Sequence, residues 1–119
     1  MIKEYNQQNI FARIIRGELS SEKVYEDDVI LIIKDKFPDK NWKTHLLAIP
    51  KGEFLHYSDF ISNAKADLIN IFFKTIDQVI KRHGLAHYQL VMNNGSKAGQ
   101  EIMHFHVHIK SQDEFFLES

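Results

Sequence analysis

Along residues 63–83 the apolar positions Leu68, Phe72, Ile76, Val79 and Ile80 recur at helical spacing, which predicts one long amphipathic helix. Asn63 suits its N-cap, Asp67 sits near its positive end, Lys81, Arg82 and His83 occupy the last turn, and Gly84 suits the position after it. A shorter helix is predicted after Asn9, a good N-cap residue. Ile10, Phe11, Ile14 and Ile15 form its apolar face and Gly17 suits its stop. The other apolar runs are strand-like. Residues 24–26 and 29–34 flank the turn Asp27-Asp28 and read as a β-hairpin. Residues 44–50 make a third strand ended by Pro50, 87–92 a fourth and 103–109 a fifth. Residues 35–43 form a loop rich in Lys and Asp. Residues 51–62 look irregular, with a short turn near Ser58-Asp59, and residues 1–8 are polar and loose. Helices and strands are segregated rather than alternating, and the hairpin favours an antiparallel sheet, which predicts an α+β domain.

The fifth strand has the sharpest pattern. Met103, Phe105, Val107 and Ile109 alternate with His104, His106 and His108. Side chains of an extended strand point to opposite faces with period two, so the three imidazoles are expected on one face and the apolar residues on the other. Imidazole titrates near neutral pH and can serve as nucleophile, acid, base or metal ligand. Two chemistries stay open on this pattern. His at i and i+2 is a normal chelating pair, but His104 and His108 lie about 13 Å apart by rise alone, so one ion would not take all three. The other is nucleophilic catalysis by the middle histidine, with its neighbours helping.

Composition narrows the setting. With 119 residues, the chain has the length of one domain and should bury roughly 65% of its unfolded surface. It is 44% hydrophobic and 26% charged with a net charge of -1, so it has no general attraction for nucleic acid or anionic membrane. Cysteine is absent, which excludes disulfides and thiolate metal sites. The first residues carry no signal-peptide core and no apolar run approaches the ~20 residues of a membrane span. A cytoplasmic location is expected.

Two further features stand near the histidine row. Residues 93–100, Asn-Asn-Gly-Ser-Lys-Ala-Gly-Gln, form a loop whose backbone N–H groups could make an anion nest. His45 opens the third strand and could reach the row from a neighbouring position in the sheet. His56, His83 and His87 read as surface or capping residues.

Taken together these residues resemble the histidine triad (HIT) family. Residues 104–109 resemble its signature of three histidines alternating with apolar residues. Residues 10–18 followed by 24–28 resemble its opening helix and hairpin, and residues 44–51 its strand ending in Pro-Lys. Asn93, Gly95, Gly99 and Gln100 fall where the Hint branch has them. The resemblance spans residues 9–110 and implies a single HIT domain over residues 1–119, with 1–8 and 111–119 as flexible or dimer-contacting ends. It implies a five-stranded antiparallel sheet with one long and one short helix, paired across a two-fold homodimer.

The resemblance also implies hydrolysis at the α-phosphate of purine nucleoside phosphoramidates or related nucleotidyl conjugates. His106 would be the nucleophile and form a nucleotidyl-imidazole intermediate, its proton-bearing nitrogen held by the carbonyl of His104. His108 would lie near the α-phosphate and leaving atom, with His104 and His45 orienting the group. Asn93 and the backbone around Gly99 and Gln100 would hold the substrate's phosphate, Asp35 the ribose hydroxyls, and Phe11, Ile14, Leu19 and Ile33 the base. No metal and no cofactor is implied, and the partners are a purine nucleotide or nucleotide conjugate and a second copy of the chain, with no nucleic acid and no membrane.

Several positions depart from the family pattern. The loop between Asp35 and His45 is two residues longer than in the Hint branch. Glu101 stands where a hydroxyl residue commonly helps the leaving group. Lys110 replaces the last apolar residue of the signature, and the tail lacks the usual Gly-Gly-Arg. Asn9 and Ala12 stand where some bacterial members carry zinc-binding cysteines. The alternatives are a Fhit-like dinucleoside polyphosphate hydrolase, a nucleotide-binding regulatory protein with little turnover, for which Glu101 is the motive, and a histidine metal-binding domain.

Overall fold

A computed structural model describes residues 4–116. The elements run α1 (Ile10–Ile15), β1 (Lys23–Glu26), β2 (Ile30–Lys34), β3 (Thr44–Pro50), α2 (Tyr57–Asn63), α3 (Ala66–Arg82), β4 (Gln89–Val91), a 3-10 turn (Ser96–Ala98) and β5 (Val107–Ser111). The five strands form one antiparallel sheet in the order β1-β2-β3-β5-β4, an α+β arrangement. Among the described residues no helix is long and apolar enough to cross a membrane.

Local chemistry explains the predicted starts and turns. The Ala12 N–H donates to the Asn9 side chain at 2.9 Å and caps α1. In the β1–β2 turn, Asp27 Oδ1 accepts from the N–H groups of Val29 and Ile30, the Asx geometry that short acidic side chains favour. The two central strands are covered on both faces, which is why β2 and β3 read as nearly continuous apolar runs. Ile30, Ile32, Leu46, Ala48, Val107 and Ile109 pack under α2 and α3 against Phe60, Phe72, Ile76, Val79 and Ile80. On the opposite face Leu31, Ile33, Leu47 and Ile49 meet Phe11 and Ile14 of α1.

Three expectations are corrected. Residues 51–62 are not irregular throughout, because Tyr57–Asn63 is helical. Its cap is His56, whose Nδ1 accepts the Asp59 N–H, and its anchor is Phe60, fully buried and stacked on Phe105 at 4.8 Å. Asn63 therefore does not cap the long helix. It ends α2 and donates its amide to Asp59 Oδ1 at 2.7 Å, while α3 starts after Lys65 without a side-chain cap. The histidine strand begins only at Val107, since the Phe105 N–H is taken by Phe54 O at 2.7 Å instead of by a neighbouring strand.

The three minor histidines are capping or surface residues, as expected. His56 is a cap and His87 is exposed beside Asp113. His83 closes α3 but is buried, stacked on Phe115 and bonded to Phe116 O. The described chain ends are bonded to the body: Gln7 donates to Glu53, and Asp113 accepts from the N–H groups of Ala86 and His87.

Candidate active site

The site lies on the sheet face opposite α3, where the first five residues of β3 run antiparallel to β5. His45 pairs with Lys110 and Leu47 with His108 in the antiparallel register. With period two, His108 and Lys110 share this face. An open cleft of about 320 Å³ is lined there by His106, His108, His45, Asn93, Gly99, Glu101 and apolar residues including Phe11, Leu47 and Ile102.

Hydrogen-bond partners assign the ring protons. His106 Nδ1 lies 2.7 Å from the His104 carbonyl oxygen. A carbonyl only accepts, so Nδ1 carries the hydrogen and Nε2 keeps its lone pair. The Phe11 ring meets the imidazole edge-on at 4.8 Å. Burial lowers the His106 pKa, opposed by the bond to His104, so the ring is neutral at pH 7.

His104 departs from the expected row. Its ring does not line the cleft. It is 1% exposed, donates from Nε2 to Pro50 O at 2.8 Å and accepts the Tyr5 hydroxyl at Nδ1. Burial pushes its pKa down to about 4. What His104 offers the site is its backbone carbonyl, and the ring is the anchor that fixes it. The imidazole face shared by three residues is thus reduced to His106 and His108.

His45 and His108 form a second unit. The Asp39 main-chain N–H donates to His45 Nδ1 at 2.9 Å, which places the His45 hydrogen on Nε2. That atom is 2.9 Å from His108 Nδ1 and 3.3 Å from Asp35 Oδ2. His108 Nδ1 then accepts, and its own hydrogen sits on Nε2. The two histidines of β5 and the turn before it therefore present opposite functions: a lone pair on His106 and an N–H on His108. Burial, His106, His45 and Lys110 bring the His108 pKa down to about 4. His45 is lowered by burial, with Asp35 pulling the other way.

Asp35, His45 and His108 bring ligand atoms within 4.8 Å of one another. This donor set fits a divalent ion poorly. Coordination through His45 Nε2 needs a lone pair there, while Nδ1 already needs one for the Asp39 N–H, so the ring would have to lose its last proton.

The loop after β4 is built to hold backbone in place. Gly95 and Gly99 have φ of +96° and +90°, which only glycine adopts without strain. Gln100 is buried, and its side chain accepts from Gly95 N and donates to the carbonyls of Leu55 and Ile102. Its amide is a brace and has no free donor for a substrate. Asn93 donates to Ala98 O and lines the cleft with Gly99 and Glu101.

Other expected binding residues are placed less directly. Asp35 is not part of the cleft lining. Its Oδ1 accepts from Phe37 N and its Oδ2 faces His45, because the longer loop folds back over β3. Of the four base-pocket residues, Phe11 lines the cleft, whereas Ile14 and Ile33 are packed beneath it with Leu47 and Ile49, and Leu19 packs against that cluster. Sequence reasoning missed Tyr5, Asp39 and Lys110. Only Lys110 carried a signal, its two-residue spacing from His108.

The HIT domain family model matches residues 16–115. A HIT-like protein of Rickettsia prowazekii is 45% identical over 107 residues, covering 88% of each chain. A HIT family hydrolase from Legionella pneumophila superposes with a TM-score of 0.80 at 30% identity, covering 90% of this chain and 95% of its own. A hypothetical histidine triad nucleotide-binding protein from Sulfolobus tokodaii gives 0.69 at 32% identity, covering 92% and 69%.

Proposed function

This chain belongs to the HIT family, and we propose that within it the protein is a nucleotidyl hydrolase acting on purine nucleoside phosphoramidates or related nucleotidyl conjugates. The observation that carries this reading is the 2.7 Å bond from His106 Nδ1 to the His104 carbonyl, which leaves Nε2 as an unprotonated nucleophile. His106 Nε2 attacks the α-phosphorus and forms the P–N bond as the bond to the leaving nitrogen breaks. The leaving nitrogen takes a proton from solvent and departs as the amine, held in place by a hydrogen bond from the neutral His108 Nε2–H. Water then attacks the nucleotidyl-His106 phosphorus, one of its protons returns to solvent, and His106 leaves as the neutral ring. The first step creates a positive imidazole on His106, which the His104 carbonyl stabilises. Asn93 and Gly99 line the cleft where the phosphate would sit, although the N–H groups of Gly99 and Gln100, expected to hold it, are given to Ser96 O and Gly95 O.

The solved relatives support both halves of the reading, one being a hydrolase and another a histidine triad nucleotide-binding protein by description. A homodimer is supported by β4, which among the described residues pairs with β5 alone, and by exposed apolar residues in and beside it, Tyr88, Leu90 and Met92. A second reading, nucleotide binding with little turnover, is favoured by one observation: Glu101 lines the cleft as an exposed carboxylate, where it would repel a phosphate.

Incubation with adenosine 5′-phosphoramidate and with a diadenosine polyphosphate separates these readings. The proposal predicts release of AMP from the phosphoramidate, and a fall of at least ~10³-fold in His106→Ala. Faster cleavage of the polyphosphate would move the protein to the Fhit-like class. Tight AMP binding with no turnover of either substrate would leave only the binding function.

A further inference from the structure

Two of the expected departures from the HIT pattern, the longer 35–43 loop and the lysine at the end of the signature, meet in space. Lys110 Nζ lies 3.2 Å from Asp39 Oδ2. Asp39 is in the extended loop, and its main-chain N–H is the donor that holds His45 Nδ1. Lys110 stands opposite His45 in the β3–β5 register and lines the cleft with Asp39. The sequence alone makes Lys110 a mild change at a strand end, but in the fold it is the tether of the loop that covers the histidine pair.

We infer that Lys110 is a positioning residue: by pairing with Asp39 it holds the loop so that the Asp39 N–H keeps the His45 proton on Nε2, which in turn keeps the His108 proton on the Nε2 that serves the leaving group. Without the tether, His45 can take its other tautomer, and His108 loses the donor that orients it. This inference rests on the hydrolase reading only for the use made of His108 Nε2–H. The chain of hydrogen bonds itself is independent of turnover.

The charges around His45 fix the sign of the effect. Asp35 at the end of β2 and Asp39 in the loop raise its pKa, whereas burial and Lys110 lower it, and His108 faces it from β5. Removing the lysine charge leaves Asp39 uncompensated beside the ring. The His45 titration midpoint therefore rises.

The test is a long-range proton–nitrogen correlation spectrum of the histidine rings across pH, recorded on the wild type, Lys110→Met, Lys110→Arg and Asp39→Asn, together with kcat and KM for adenosine 5′-phosphoramidate. In the wild type His45 and His108 are expected as single Nε2–H tautomers and His106 as Nδ1–H. Lys110→Met should give mixed tautomers at His45 and raise its midpoint by on the order of one unit. It should lower kcat roughly three- to tenfold with a smaller change in KM. Lys110→Arg should restore the wild-type spectrum. Asp39→Asn, which breaks the same tether from the other side, should likewise give mixed tautomers at His45 but move its midpoint down. Wild-type tautomers and an unmoved midpoint in Lys110→Met would overturn the inference. An inactive wild type with the expected ring spectra would sink the hydrolase reading and leave the tether standing.

Discussion

His106 and His108 are two residues apart and carry their protons on opposite ring nitrogens, and in each case a main-chain group decides which. The His104 carbonyl demands a hydrogen on His106 Nδ1. The Asp39 N–H, acting through His45, demands one on His108 Nε2. Neither main-chain group titrates, so each assignment holds wherever the rings concerned are neutral. The anchoring histidine behaves differently. His104 is neutral and enclosed, with its pKa pushed from 6.5 to about 4. Its folded pKa lies below the unfolded one, so the unfolded chain binds more protons between these values, and stability is full above pH 6.5 and lost as pH falls towards 4. At ~1.4 kcal/mol per unit, His104 accounts for a loss on the order of 3 kcal/mol. Urea unfolding between pH 7 and pH 4 should show this decline, shallower in His104→Gln. An equal slope in the variant would show that His104 is not the group responsible.

Among elements, α2 is the one whose existence depends most on distant contacts. Phe60 is its fully buried side chain, in contact with Phe54, Phe72, Phe73 and Phe105. Phe60→Ala should cost about 3–5 kcal/mol in urea unfolding. A loss below ~1 kcal/mol would show that α2 does not depend on this contact. In the sequence α2 is hard to read because Tyr57, Phe60 and Ile61 span little more than one helical turn, too short a run to establish a period. The hairpin, β3 and α1 are legible because each is specified locally, by the Asp27 turn, Pro50 and the Asn9 cap. Alternation in 103–109 places Phe105, Val107 and Ile109 in the core correctly. It fails at His104, whose ring is claimed by Pro50 and Tyr5, 54 and 99 residues away in sequence. Lys110 and Asp39 are likewise brought together only by folding, across 71 residues.

At the scale of the whole molecule, the sheet has one face for stability and one for chemistry. Helices α2 and α3 seal the first face around Ile32, Leu46 and Val107. The second is sealed by α1 over Leu31 and Ile49 and left open where β3 and β5 bring His45 and His108 together. The HIT fold thus supplies the floor, and loops 35–43 and 93–101 supply the walls. In the proposed reaction this floor aims one lone pair, that of His106 Nε2, at a nucleotide phosphorus. Rapid acid-free quenching during turnover of adenosine 5′-phosphoramidate, followed by mass spectrometry of peptides containing residues 104–108, tests it most directly. The account predicts an adenylyl adduct on His106, absent in His106→Ala and decaying as AMP appears. Steady turnover with no adduct at any time, or an adduct on His108 or His45, would contradict it.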